Sequence, residues 1–238
     1  MSSNPSITRA GMSQPMAGMA AVGSMAADMA ARKDRLARLK ARVPKPHEAS
    51  FFFYDAHFQS EAVKILPGEY FVFNEDVLIM TTLGSCIAVC LWDRQAKIGG
   101  MNHFMLPDNG GGASDSGRYG SFAMELLINE MLKMGASRMT LEAKVFGGGA
   151  VISGMSSINV GERNTQFVME YLKTERIPVV SKDVLEIYPR KVCFFPKSGK
   201  AMVKRLAPSN PEAIVAQERA AAQKAAVPAT TGGSIDLF

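Results

Sequence analysis

The chain is 238 residues long, 47% hydrophobic and 21% charged, with 27 Lys and Arg against 22 Asp and Glu. That is ordinary globular composition, sized for one domain with tails or two small domains. Its longest apolar run, Cys86 to Trp92, is strand length and far short of the roughly 20 residues of a membrane-spanning helix, so no transmembrane segment is expected.

Three cysteines, an odd number, do not make a disulfide scaffold, and the reducing cytoplasm is the expected compartment. The net charge of +5 sits entirely in residues 1–50, which hold eight Lys/Arg and three Asp/Glu. The rest of the chain is balanced and has no basic surplus to contact phosphates, so nucleic acid is not an expected partner. Residues 1–50 read as a disordered or partly helical basic arm, with Arg32 to Arg42 its charged stretch. A charged start followed by a continuous apolar core, the mark of a signal peptide, is not seen.

The folded body is expected to begin between Phe51 and Pro67. Strands are predicted over Tyr70–Phe73 and Val77–Thr82, then a turn at Gly84-Ser85-Cys86 and the apolar strand Ile87–Trp92. A short turn leads to a strand over Lys97–Leu106, ended by Pro107. The glycine-rich stretch Asp108–Gly117 reads as a flexible loop. Helical spacing predicts Tyr119–Met134, closed by Gly135. A strand follows over Met139–Phe146, then Gly147-Gly-Gly149, a helix over Glu162–Lys173 and a strand over Ile177–Val180. Val184–Phe195 and Lys200–Leu206 form a final hairpin around Pro196-Lys-Ser-Gly199. This makes an α+β or layered α/β domain over residues 51–206, with 207–238 a flexible tail.

The candidate chemistry lies in the central hairpin. His47 and His57 lie in or near the arm, and His103 is the one histidine well inside the predicted body. Cys90 and Cys193 read as small core hydrophobes. Cys86 instead opens a strand just after a turn. For a hairpin centred near residues 94–95, paired positions sum to about 189–190, which sets Cys86 opposite His103 or its neighbour. Opposed side chains share one face, roughly 4.5–5.5 Å apart at Cβ. An imidazole beside a thiol takes its proton, and the thiolate attacks a carbonyl. Backbone amides of the Gly84-Ser85-Cys86 turn are natural donors for the oxyanion. Thr81 and Thr82 are candidates to orient the imidazole. Zinc fits poorly, because Cys86 and Cys90 lie about 13 Å apart by strand rise. Gly147-Gly-Gly149 lacks a P-loop's Lys and reads as room for close backbone packing.

Five segments, in order, resemble the chemoreceptor glutamine deamidase family, CheD. They are Thr81–Asp93 (Thr-Thr-Leu-Gly-Ser-Cys-Ile-Ala-Val-Cys-Leu-Trp-Asp), Gly99–Pro107, Tyr119 with its helix, Glu142–Gly149 and Asn159–Asn164. The resemblance spans about Tyr70 to Leu206. It implies a layered α/β/α sandwich similar to bacterial toxin deamidases, with a mostly antiparallel sheet and two main helices. It implies a cofactor-free cysteine hydrolase that converts glutamines of chemoreceptor cytoplasmic domains to glutamate. It assigns Cys86 as nucleophile, His103 as general base and acid, and an upstream threonine, here Thr81, as third member. A receptor-adaptation phosphatase is a further partner that the resemblance implies. Competing readings are a non-catalytic receptor-binding adaptor and a transamidase. The C-terminal Ser234–Phe238 reads either as a docking peptide or as a frayed end.

Overall fold

The computed structural model describes residues 34–106, 113–151 and 160–207, with the isolated positions 216 and 220. The elements run in the order α1 (residues 34–40), β1 (Phe51–Asp55), β2 (Ser60–Lys64), β3 (Tyr70–Phe73), β4 (Leu78–Leu83), β5 (Ile87–Asp93), β6 (Ile98–Asn102), α2 (Ala113–Lys133), β7 (Leu141–Gly147), α3 (Val160–Thr174), β8 (Val179–Val184), β9 (Arg190–Phe195) and β10 (Lys200–Arg205). They build two five-stranded sheets. One has the order β3-β6-β5-β7-β8 and is called the covered sheet below. The other, β1-β2-β4-β9-β10, is the outer sheet.

Alternation along the strands decides the layers. In β5, Ile87, Val89 and Leu91 pack against Met124, Leu127, Ile128 and Met131 of α2 and Val168 and Leu172 of α3. On the opposite face, Cys86, Ala88 and Cys90 meet Ile79, Leu83, Val192 and Phe194 of the outer sheet. A strand buried on both faces has no polar side to show, which is why β5 reads as an unbroken apolar run. The order is therefore helices, covered sheet, outer sheet. The mixed α+β class, the mainly antiparallel pairing and the two main helices are as expected. The layer beyond the covered sheet is a second sheet. Parallel pairing occurs at β2–β4 and β7–β8, the latter joined through α3 in the usual crossover.

Some expectations shift. Helix α2 begins at Ala113, so part of the stretch read as a loop is helical; residues 107–112 of that loop lie outside the described residues. Strand β6 ends at Asn102, followed by a single bridge at Phe104. β1 and β2 precede the first strand predicted. The expected boundary at residue 50 is crossed by packing: Leu39 and Ala49 are buried in the core between the sheets. Cations of the arm reach the body, and another pairs within the arm. Arg35 pairs with Glu61 of β2 at 3.3 Å, Arg42 with Glu48 at 2.7 Å, and Lys45 with Glu130 of α2. The Arg42 guanidinium also lies over Phe71, 5.4 Å from the ring centre. Residues 1–33 and the tail peptide Ser234–Phe238 lie outside the described residues.

Candidate active site

The chain crosses from the outer to the covered sheet at Gly84-Ser85-Cys86, between β4 and β5. Three successive carbonyls of this crossing are tied down by three donors. Gly149 N–H donates to Gly84 O at 2.8 Å, Asn164 Nδ2 to Ser85 O at 2.8 Å, and Gly148 N–H to Cys86 O at 2.8 Å. The glycines permit this approach. A Cβ on Gly147, whose φ is +113°, would stand 2.0 Å from the Cys86 carbonyl oxygen. Close backbone packing, the reading given to Gly147-Gly-Gly149, is what that segment does. Cys86 itself is fully buried and in no disulfide.

His103 sits where β6 loses its partner. The hairpin pairs Cys90 with Met101 and Ile87 with Phe104, so paired positions sum to 191, rather than 189–190. Cys86 is therefore diagonal to His103, not opposite it. A shift of two from 189 preserves the face, and Cys86, Ala88, Cys90, Met101 and Met105 all point toward the outer sheet. Between the two pairs the ladder opens. Val89 N–H donates to the Asn102 side-chain oxygen at 3.0 Å instead of to a backbone carbonyl. The backbone of His103 turns to the other neighbour, donating to Glu69 O at 3.0 Å and accepting from Gly68 N–H at 2.7 Å.

From the covered sheet the imidazole reaches the outer one. Thr81 Oγ1 lies 2.8 Å from His103 Nδ1 and donates to Ile65 O at 2.8 Å. A hydroxyl has one proton. With that proton on the Ile65 carbonyl, Oγ1 accepts from Nδ1–H, and the lone pair of the neutral ring falls on Nε2. That atom is buried and has no hydrogen-bond partner among the described residues. Burial pushes the His103 pKa down to about 3 against a smaller opposing effect of the Ile65 backbone, so the ring is neutral at pH 7. Alternation separates the two threonines. Ile79, Thr81 and Leu83 occupy the β4 positions that face the covered sheet, while Leu78 and Met80, and Thr82 by the same period, occupy the far side.

Two further side chains join the site without having been singled out for it in the sequence. Asn164 is wholly buried on α3; besides its bond to Ser85, its Oδ1 accepts from Leu106 N–H at 3.0 Å. The Gly161-Glu-Arg-Asn stretch had read as a helix start, and nothing local in it signals a bond to residues 58 and 79 positions away. Tyr119 places its hydroxyl 3.4 Å from where a Cβ on Gly68 would stand. Its pKa is raised by burial and, secondarily, by the nearby Cys86. Cys90 is core, its thiol pushed well up by burial, and Cys193, on β9, belongs to the cluster on the far face of the outer sheet. Among the described residues no cluster of His, Cys, Asp and Glu could hold a metal ion, and no helix is long and apolar enough to cross a membrane.

The family model for CheD chemotactic sensory transduction matches residues 105–205. A probable chemoreceptor glutamine deamidase CheD 1 of Albidiferax ferrireducens is 62% identical over 204 residues, covering 86% of this chain and 87% of the relative. A probable chemoreceptor glutamine deamidase CheD of Janthinobacterium is 50% identical over 202 residues, covering 83% and 99%. A probable chemoreceptor glutamine deamidase CheD 1 of Dechloromonas aromatica is 58% identical over 162 residues, covering 67% and 81%.

Proposed function

The chain belongs to the CheD family, and on that premise we propose that it is a chemoreceptor glutamine deamidase with Cys86 as nucleophile. The Cys86 Sγ–H proton passes to His103 Nε2 as sulfur attacks the glutamine carboxamide carbon. The oxyanion collapses, the C–N bond breaks, and ammonia leaves with the proton returned by His103. Water then attacks the γ-glutamyl thioester, again giving a proton to His103. Glutamate is released and the proton returns to sulfur. The sum is carboxamide plus water to carboxylate plus ammonium.

The observation that carries this reading is the relay from Ile65 O through Thr81 Oγ1 to His103 Nδ1. It sets the tautomer of the ring, which burial keeps neutral, so that the base is at Nε2, and Nε2 is the atom left over for a thiol. Thr81 is the third member, and Thr82, on the other face of β4, is not. The substrate is the cytoplasmic part of a chemoreceptor, the compartment is the cytoplasm, and a receptor-adaptation phosphatase is a second partner, checked by co-purification.

The test is ammonia release with peptide mass mapping, using a receptor cytoplasmic fragment with wild-type protein and Cys86→Ala. Conversion of glutamine to glutamate by wild type alone is expected. Binding without conversion by either protein favours the adaptor reading. Incorporation of an added amine in place of water identifies a transamidase. Equal conversion by both proteins removes Cys86 from the mechanism.

A further inference from the structure

We infer that Asn164 is the positioning residue that aims both the Cys86 nucleophile and the backbone N–H beside it. The inference deepens the deamidase reading and rests on it. The carboxamide of Asn164 is fully buried, and both its ends are used on main chain. Its Nδ2 holds Ser85 O at 2.8 Å, one residue before Cys86, and its Oδ1 holds Leu106 N–H at 3.0 Å, three residues after His103. One side chain on α3 therefore fastens together the two segments that carry the thiol and the imidazole.

The peptide group makes this more than a fastening. The Ser85 carbonyl and the Cys86 N–H belong to one planar trans unit and point in opposite directions. Fixing the carbonyl fixes the N–H. On either side of it, the Gly84 and Cys86 carbonyls are held by Gly149 and Gly148. Those two bonds are backbone to backbone, so the central bond is the one in this set that a side-chain substitution can remove. An N–H on the nucleophile's own residue is a natural donor to the oxyanion formed when its sulfur attacks. Rotation of this peptide would displace that donor and Sγ together.

Two substitutions separate positioning from mere packing. Asn164→Asp keeps an oxygen to accept from Leu106 but, when ionised, sets a carboxylate against the Ser85 carbonyl. Asn164→Ala removes both bonds. Each is assayed on the full chain for kcat and KM with the receptor fragment from pH 5 to 8, per mole of folded protein by circular dichroism. A substrate-free arm measures the rate at which iodoacetamide, itself a small carboxamide, alkylates Cys86, located by mass mapping.

For Asn164→Ala the expected result is a kcat loss of about 10- to 100-fold with KM within about threefold, at a ratio to wild type that does not change with pH. For Asn164→Asp the deficit should shrink toward pH 5, as the protonated carboxyl regains a donor. Alkylation should slow in both variants. Wild-type kcat and wild-type alkylation rates in the folded variants would overturn the inference. So would a deficit confined to stability. If the wild type itself releases no ammonia, the deamidase reading fails, and the alkylation arm alone decides whether Asn164 sets the thiol. If Asn164→Ala does not fold, Asn164→Ser takes its place with the same expectation.

Discussion

Replacing Thr81 by Val keeps the branched shape of the side chain in β4 and removes only its oxygen. Two buried groups then lose partners, His103 Nδ1–H and the Ile65 carbonyl. A buried donor left unsatisfied costs about 1–3 kcal/mol. The ring can also move its proton to Nε2, which has no partner among the described residues either and leaves the base on the wrong side. Either route weakens the step in which Nε2 takes the thiol proton. With a tenfold rate change for each 1.4 kcal/mol, kcat should fall about 10- to 100-fold. Thr81→Ser keeps the hydroxyl and should recover most of the loss. Thr82→Val, altered on the opposite face of the same strand, should be near wild type. Ammonia release measures all three, and the 15N shifts of the His103 ring report the tautomer directly. A folded Thr81→Val enzyme with kcat within twofold of wild type would refute the relay.

The remaining expectations concern stability. The His103 pKa is depressed from 6.5 to about 3, so between those values the unfolded chain binds a proton that the native protein does not. Stability should fall as pH drops through that window, by at most about 5 kcal/mol, and melting curves from pH 7 to 4 should be flatter for His103→Gln. Gly147→Ala places a Cβ against the Cys86 carbonyl at a left-handed φ, and should cost at least about 2–4 kcal/mol in urea unfolding along with most activity. Leu39→Ala, in the arm but 2% exposed, should cost about 2–5 kcal/mol, whereas an arm that only trailed in solvent would show no change.

That Cys86 and His103 share a face of the hairpin was legible because side-chain parity survives an error of two in register. The shift to 191 came from a turn whose length the sequence does not declare: it is already set at Asp93–Ile98, and the opening at Asn102 leaves it unchanged. Thr81 and Thr82 were both legible as candidates to orient the imidazole, but which of them reaches His103 needs the face of β4, which depends on how two sheets stack. Asn164 was not legible as a site residue, since its partners are far away in sequence. The helix at residues 34–40 fits a partly helical arm, but the arm's packing is not legible in the sequence for a related reason. A run of Arg and Lys looks solvated until Glu61 and Glu130, on β2 and α2, are known to stand beneath it. β1 and β2 were passed over in a stretch where buried Glu61 interrupts the apolar pattern, and that carboxylate is tolerated inside because Arg35 meets it.

Thr81 stands on one sheet and His103 on the other, 2.8 Å apart at their polar tips. A half-formed chain with only the covered sheet in place would hold thiol and imidazole on one face, with nothing to choose the ring's tautomer. On the proposed mechanism, competence therefore requires the two sheets to be closed on each other. The contact that buries the core between the sheets is also the one that sets the ring's tautomer, so the proposal makes hydrolytic activity a gauge of how much of the population has its sandwich shut.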